Sequence, residues 1–185
     1  MIVYCFGCWA TNDENAERCV RCGGSLIRDE DYDSALIAAL GHPEATTPVR
    51  VAWILGERRT ASAVGPLRRV LRQTGDPYLL EAACVALGLI GDATAEPELV
   101  EVLRTGPFLA RRAAATALGK LNTASATRAL DRAIQEDPSA SVRDAARMAL
   151  QVNSSSSLAS SGPAARSPGH GRACHVEGFR DVNDS

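Results

Sequence analysis

The sequence predicts an all-α protein, a short α-solenoid of about four helix-turn-helix units, with a small cysteine-rich unit before it and a disordered tail after it. Three observations predict this organisation. An alanine- and leucine-rich pattern recurs through the middle of the chain with a period of about 32 residues. Two Cys-x-x-Cys pairs precede the pattern, and a stretch rich in serine, glycine and proline follows it. The predicted boundaries are 1–28, 33–152 and 153–185.

The composition agrees with closely packed helices. Of the 185 residues, 45% are apolar but only 4% are aromatic, which is typical of a core made of small side chains. The net charge of −2 argues against a general nucleic-acid or membrane binder. No stretch approaches the roughly 18–20 apolar residues that cross a bilayer. We therefore expect a cytoplasmic protein without a membrane partner.

The N-terminal unit is organised by Cys5, Cys8, Cys19 and Cys22, two pairs with ten residues between them. The short spacing within a pair lets two thiolates approach one metal ion from a tight turn, and two pairs complete a closed shell. A closed shell is typical of structural zinc, because no position is left for water or substrate. Disulfides are the alternative, but residues 1–6 show no secretory signal leading to an oxidising compartment. The predicted cofactor is one structural Zn²⁺.

The span from Cys5 to Leu26 resembles the short zinc-ribbon family found at the N-terminus of many bacterial proteins, and the resemblance covers about residues 3–27. The resemblance implies two zinc knuckles packed as a small β-rich unit, with no reaction attached. Trp9 stands where the family usually has glycine, although a glycine would turn more easily beneath the metal. Residues 1–33 carry three Arg against seven Asp and Glu, which disfavours nucleic acid as a partner.

The solenoid is anchored by four equivalent positions, each following an alanine-rich helix that ends in leucine: Gly56, Gly88, Gly119 and Gln151. An earlier helix in each unit places apolar side chains four residues apart, so neighbouring units must bury the same face against one another. The glycine after each leucine suits a left-handed helix end. The four units are predicted at about 33–58, 61–90, 92–121 and 123–152.

Each unit combines a first helix with paired leucines, an Asp-Pro turn in two of the units, and an Ala-Ala-x-Ala-Leu-Gly helix. This pattern resembles the HEAT repeat of the phycobilisome-lyase type over about 120 residues. The resemblance implies an α-solenoid whose second helices line a concave binding surface. Members of that family include adaptor proteins, bilin lyases and a metal-dependent hydroxylase. The fourth unit departs from the pattern at Gln151, as expected for a terminal repeat.

The residues do not support a catalytic site. The hydroxylase subgroup holds two irons with His-Glu pairs on its second helices, and this sequence predicts no histidine on those helices. A bilin lyase would use a reactive thiol, for which Cys84 is the candidate in the solenoid. Its equivalents Ala52 and Ala115 favour a buried structural cysteine instead. We predict no catalytic residues and no site for an organic cofactor.

A candidate partner surface is a basic cluster in the last two units: Arg111, Arg112, Arg143 and Arg147. Eight positions before the anchors, Pro48 and Leu80 stand where the later units have arginine, so the groove is expected to change from apolar to basic. Such a cluster suits an acidic or phosphorylated protein segment. A solvated face, partly neutralised by neighbouring acidic residues, is the alternative. Trp53 is a further candidate contact, although core filling is its commoner role.

The leading interpretation is a non-catalytic zinc-binding adaptor or scaffold that binds another protein through the concave face of the solenoid. One alternative is a lyase or chromophore-handling accessory protein of the phycobilisome-lyase type, which the resemblance permits. Another is nucleic-acid binding through the ribbon. An enzyme is the less favoured class, because the sequence has no nucleophile with a base, no phosphate-binding loop and no open metal position.

Overall fold

The computed structural model describes residues 2–5, 7–27 and 32–159, with the backbone alone for residues 2 and 153–159. Two short strands and eight α-helices occur within these ranges. In chain order they are β1 (Ile2–Tyr4), β2 (Thr11–Asp13), α1 (Tyr32–Ala39), α2 (Thr46–Glu57), α3 (Val64–Gln73), α4 (Pro77–Ile90), α5 (Glu96–Thr105), α6 (Phe108–Leu121), α7 (Ala124–Glu136) and α8 (Ala140–Ala159).

The N-terminal unit is a small antiparallel hairpin closed by a third segment. Strands β1 and β2 pair with Val3 opposite Asn12, and Cys5 forms an isolated bridge with Leu26. The buried apolar residues of this unit are Cys5, Cys19 and Leu26. So small a core cannot balance the conformational entropy of about 25 ordered residues, which makes a further cross-link necessary for stability.

The eight helices pair into four units, α1–α2, α3–α4, α5–α6 and α7–α8, which confirms the predicted solenoid. The second helices (α2, α4, α6 and α8) pack side by side in one layer, and first helices α3, α5 and α7 pack in another. Leucines at equivalent positions fill the space between the layers. Those with no exposed surface are Leu55, Leu67, Leu87, Leu99, Leu118 and Leu130. Burial of the same face in each unit produces one continuous core.

Capping residues begin α4, at a predicted Asp-Pro turn, and α7, at the connection between the third and fourth units. Asp76 precedes Pro77, and its carboxylate accepts hydrogen bonds from the N–H groups of Tyr78 and Leu79 at the start of α4. Thr123 caps α7 in the same manner, through a hydrogen bond from the Ala126 N–H. These contacts satisfy N–H groups that the first turn of a helix leaves without a partner.

The anchor glycines have a different role from the one that the sequence predicts. Gly56, Gly88 and Gly119 lie within α2, α4 and α6, not at left-handed ends. The left-handed residues come three positions later, at Arg59 and Asn122 (φ 51° each) and at Gly91 (φ 79°). The prediction of a helix end at the anchors was therefore wrong, because the helices continue past them.

Each anchor glycine instead lets two second helices approach closely. A Cβ added to Gly56 would lie 2.6 Å from the Cα of Ala86, and one added to Gly88 would lie 2.8 Å from Ala117. A Cβ on Gly119 would lie 2.5 Å from the Cβ of Ala149. Contacts this short do not occur between real side chains, so the spacing of the second helices depends on these glycines.

The last helix extends beyond the predicted end of the solenoid. The backbone of α8 is helical to Ala159, past the predicted boundary at position 152. The rest of the predicted tail, 160–185, lies outside the described residues.

Candidate metal centre and partner surface

The two Cys-x-x-Cys turns have the same backbone hydrogen bonds. In the first turn the Trp9 N–H donates to the Cys5 carbonyl at 3.1 Å, and in the second the Gly23 N–H donates to the Cys19 carbonyl at 2.8 Å. The N–H groups of Cys5 and Cys19 in turn donate to the carbonyls of Ala10 and Gly24. The two turns therefore have the same backbone conformation and orient their thiols in the same way.

The four sulfurs converge on one point. Sγ of Cys5 lies 3.4 Å from Sγ of Cys22, and Sγ of Cys8 lies 3.6 Å from Sγ of Cys19. All four sulfurs are within 4.8 Å of one another. A tetrahedral zinc ion with Zn–S bonds of about 2.3 Å separates its sulfurs by roughly 3.8 Å. The donor set therefore fits one metal ion of this size and preference.

Backbone N–H groups favour the thiolate form at one cysteine of each turn. Hydrogen bonds from Cys8 and Gly7 lower the pKa of Cys5, although burial opposes them. Burial also acts to raise the pKa of Cys19, but hydrogen bonds outweigh it and lower the pKa to about 6. At Cys22 a backbone N–H acts to lower the pKa, while the neighbouring thiols raise it to about 12. Four adjacent thiolates repel one another, so a cation is the natural counter-charge.

Trp9 occupies a backbone conformation that glycine usually takes. Its φ is 58°, close to the 71° of Gly23 at the equivalent place after the second pair. A non-glycine residue in this region is strained by about 1 kcal/mol. The Trp9 ring packs against the solenoid core and meets the His42 ring edge to face, with 4.7 Å between centroids. The departure from glycine therefore provides a contact between ribbon and solenoid.

Each second helix exposes a large aromatic or methionine side chain: Trp53 on α2, Tyr78 on α4, Phe108 on α6 and Met148 on α8. Each is between 42% and 66% exposed. We call these four residues, with Glu81 and Arg112, the second-helix surface. Trp53 and Met148 occupy equivalent repeat positions, and the corresponding residue of α4 is Val85. Tyr78 lies seven residues, or about two helical turns, before Val85 and so on the same face of α4.

The charges at the centre of the second-helix surface are paired. Nη2 of Arg112 lies 3.4 Å from Oε1 of Glu81 on the neighbouring helix, and the Arg112 guanidinium lies over the Phe108 ring. Such a surface is apolar with its charges internally compensated. Sequence reasoning identified Trp53 but missed Tyr78 and Phe108, whose signal is an aromatic side chain in the first turn of α4 and of α6.

The four predicted arginines divide into two pairs. Arg111 donates two hydrogen bonds to the carboxylate of Asp137, of 2.9 and 3.2 Å, and a third to the Gly106 carbonyl. Arg143 donates to the carbonyls of Asp137 and Pro138. The structure thus brings Arg111 and Arg143 together at one turn, between α7 and α8.

The other two arginines of the predicted cluster are more exposed. Arg112 belongs to the second-helix surface, and Arg147 pairs with Asp144 one turn earlier on α8. Pro48 and Leu80, which mark the apolar end of the expected groove, are buried. The expected change from apolar to basic along an exposed groove is therefore not present, because this repeat position faces the interior in the first two units.

Cys84 lies in the solenoid core without exposed surface. Burial raises the pKa of its thiol to about 12, and the nearby Glu81 carboxylate acts in the same direction. A protonated, enclosed thiol is a poor nucleophile, so Cys84 fills space in the core.

Comparisons with known proteins identify the repeats. Residues 33–109 and 66–151 match the family model described as HEAT repeats. Among solved structures, the chain is similar to the complex of CpcE and CpcF of phycocyanin lyase from Nostoc sp. PCC7120, with a TM-score of 0.53 and 22% identity. That match covers 79% of this chain and 72% of the other, and shows a shared fold. No curated protein matches the chain. Within the described residues, no helix has the length and apolar character of a membrane span.

Proposed function

We propose, since the chain belongs to the HEAT-repeat family, that it is a non-catalytic zinc-binding adaptor that binds another protein through the second-helix surface. One observation carries the proposal: four consecutive second helices each expose a large apolar side chain beside a compensated Glu81–Arg112 pair. Aromatic and methionine side chains on a rigid support are the residues that supply most binding energy at protein interfaces. We place the protein in the cytoplasm, because its thiols require a reducing compartment.

The ribbon, in this proposal, holds one structural Zn²⁺ through Cys5, Cys8, Cys19 and Cys22. The fit of the sulfur separations to a tetrahedral shell supports this assignment. Zinc bound by four thiolates cross-links two turns that are otherwise joined by a small core. Its role here is to keep the ribbon folded.

The partner surface is tested by quantitative affinity capture from cells of the source organism. Wild-type chain, a Tyr78→Ser/Phe108→Ser variant and a Tyr32→Ser control are used as baits and the captured proteins are compared by mass spectrometry. Tyr32 is a similarly exposed tyrosine on α1, outside the second-helix surface. A specific partner should be lost from the double variant and kept by the control. Equal capture by all three baits would disprove the proposed surface.

An acidic or phosphorylated segment is the finer proposal for this partner, and it rests on the exposed guanidiniums of Arg112 and Arg147. Such a ligand would have to displace Glu81 from Arg112 and Asp144 from Arg147. Each is a single ion pair at the surface, and such pairs contribute little free energy. Reversal of both arginines to glutamate should then abolish capture of the partner. Retention of the partner would leave the apolar side chains as the binding determinant.

A lyase-type accessory role is the second candidate, favoured by the structural similarity to phycocyanin lyase subunits. The buried Cys84 with its raised pKa argues against a covalent thiol carrier. Absorbance spectra of the purified protein mixed with bilins test this candidate directly. A red-shifted or sharpened bilin band that requires the folded solenoid would favour it over the adaptor.

A further inference from the structure

A pocket of about 290 Å³ lies between α5 and α7, at the junction of the third and fourth units. Its apolar wall includes Val100, Leu103, Ala129 and Ala133. This volume is at the lower end of the range for small-molecule sites, about 300 to 1,000 Å³. A single side chain fits within it.

The preceding junction, between α3 and α5, contains a carboxylate at the corresponding place. Glu98 accepts two hydrogen bonds of 3.0 Å from Arg68 and forms a further ion pair with Arg72. The Glu98 side chain is only 10% exposed. Burial acts to raise the pKa of Glu98, but the hydrogen bonds from Arg68 and both positive charges outweigh it and lower the pKa. This junction is closed by one carboxylate between two arginines.

The repeat provides a direct comparison between the two junctions. Equivalent buried leucines of the first helices align the units, namely Leu67, Leu99 and Leu130. In this alignment Arg104 is equivalent to Arg72, and Ala129 is equivalent to Glu98. The later junction therefore keeps one of the two arginines, has Val100 in place of the other, Arg68, and has a methyl group where the earlier junction has a carboxylate. The pocket is the space that results, and Arg104 pairs instead with Glu101 on its own helix, where both side chains are exposed.

Charged side chains also line the pocket, namely Arg104, Arg111, Arg132, Glu136 and Asp137. Arg111 neutralises Asp137 through two hydrogen bonds. Arg104 is paired with Glu101, but both side chains of that pair are exposed, so Arg104 can exchange its partner. Arg132 makes no ion pair within the described part of the chain, so these two guanidiniums are the groups that can receive a further carboxylate. A ligand with an apolar stem and a terminal carboxylate matches both the wall and the charge.

We propose that this pocket binds a glutamate side chain of a partner protein, whose carboxylate takes the place that Glu98 occupies one unit earlier. The stem of that glutamate contacts Ala129 and Val100. Its carboxylate replaces Glu101 as the ion-pair partner of Arg104 and forms a second ion pair with Arg132. The pocket lies between first helices, whereas the second-helix surface is on the other layer. This proposal therefore goes beyond the proposed function, and each can fail without the other.

The first test supplies the missing carboxylate from within the chain. Ala129→Glu is compared with Ala129→Gln, which has the same size without the charge. Ala129→Glu should melt about 2 °C higher than Ala129→Gln at low salt, because it gains a partly exposed ion pair. The difference should disappear when Arg104→Gln and Arg132→Gln are added to both. Equal melting of the two variants would mean that these arginines do not receive a carboxylate here, and would overturn the proposal.

The second test uses peptides as probes in NMR titrations of the whole, zinc-loaded chain. Acetyl-Leu-Glu-Leu-amide is compared with acetyl-Leu-Gln-Leu-amide, with the methyl signals of Ala129 and Ala133 as reporters. The glutamate peptide should bind about tenfold more tightly, since its carboxylate forms charge-assisted hydrogen bonds with the arginines that the amide of glutamine does not form. Arg104→Gln should remove this preference, and Ala129→Glu should block binding. Arg112→Gln, on the second-helix surface, is the control and should change nothing.

Three results of the titration would contradict the proposal. They are absence of binding by either peptide, equal affinity for the two peptides, and shifts confined to the second-helix surface. The last result would support a different binding site for acidic segments and would leave the pocket without a role in recognition.

Discussion

The ribbon and the solenoid are stabilised in opposite ways. The buried residues of the ribbon are Cys5, Cys19 and Leu26, whereas the solenoid core runs continuously from Leu36 to Ala146. The ribbon brings four sulfurs close enough together to hold one metal ion, which would cross-link its two turns. The solenoid depends on repeated burial of the same faces. Because the two regions are stabilised by different interactions, we expect damage to one region to have little effect on the other.

Replacement of a metal ligand should unfold the ribbon alone. Cys19→Ser removes one thiolate from the four-sulfur shell, and structural zinc contributes about 10 kcal/mol or more to folding. We expect loss of bound zinc in metal analysis and rapid proteolysis within residues 1–28. Helical circular dichroism and the main thermal transition should stay nearly unchanged. Collapse of helicity in this variant would show instead that the ribbon is an essential cap of the solenoid.

Removal of a half-buried arginine should damage the solenoid alone. Arg111→Met removes the two hydrogen bonds that the Asp137 carboxylate, only 5% exposed, accepts from Arg111 and leaves only the bond from the Ser139 N–H, at a cost of about 2–4 kcal/mol. Denaturant unfolding measures the loss. Arg104→Met is the control, because its pair with Glu101 is exposed and should contribute less than about 1 kcal/mol. Bound zinc should be unaffected in both variants, and equal destabilisation would contradict the argument.

The close approach of the second helices should be sensitive to a single methyl group. Gly88→Ala places a Cβ 2.8 Å from Ala117, and such overpacking costs about 1–3 kcal/mol. Gly65→Ala is the matched control on α3, where an added Cβ meets nothing within 4 Å. The control should gain up to about 1 kcal/mol from improved helix propensity. Opposite signs in thermal unfolding are expected, and a stabilised Gly88→Ala would disprove the role of the anchor glycines.

The ion pairs at the α3–α5 junction should give a measurable pH dependence. The folded-state pKa of Glu98 lies below its ordinary value of 4.5, so its ionised form stabilises the fold. This contribution is complete above pH 4.5 and is lost as the pH falls through the lowered pKa. Glu98→Gln should therefore cost about 1 kcal/mol at pH 7 and progressively less towards pH 3. A cost that stays constant over this range would show that charge plays no part.

The smallest effect concerns the contact that joins the two regions. Trp9→Gly should leave zinc bound, because glycine accepts the left-handed conformation without strain. The ring protons of His42 should shift, since the Trp9 ring lies 4.7 Å away. Zinc removal by a chelator should produce the same His42 shift, and Trp53→Phe should produce none. Unchanged His42 signals in Trp9→Gly would show that the two regions do not contact each other in solution.

The four units and the cysteine cluster were predicted from the repeat period and from the spacing of the cysteines. Leucines that recur once in every repeat must serve the same face, so the four units follow from the sequence. Pairs of cysteines in a Cys-x-x-Cys arrangement must turn tightly to share a metal, and the structure brings the four sulfurs together. The unusual position of Trp9 was visible for the same reason, because a residue after such a turn needs a left-handed backbone.

The surface was less predictable, since an arginine in a sequence does not reveal its partner. Nothing in the sequence distinguishes Arg111 from its neighbour Arg112, yet Arg111 donates two hydrogen bonds to the carboxylate of Asp137 on the following unit. Arg143 donates to the backbone carbonyl of the same residue. Likewise, the sequence around Gly88 predicted a helix end. The reason for this glycine is its close contact with Ala117 on the second helix of the next unit, which the sequence does not reveal.

The order of the units, the pairing of the cysteines into two tight turns and the identity of the buried leucines follow from local sequence patterns, because periodicity dictates which side chains share a face. Which polar groups are paired and which apolar side chains stay exposed depends instead on the folded structure. It also decided where a junction is open, as between Arg104 and Ala129. These properties depend on distances between separate helices, and such distances are set by packing of the whole solenoid, not by any one segment.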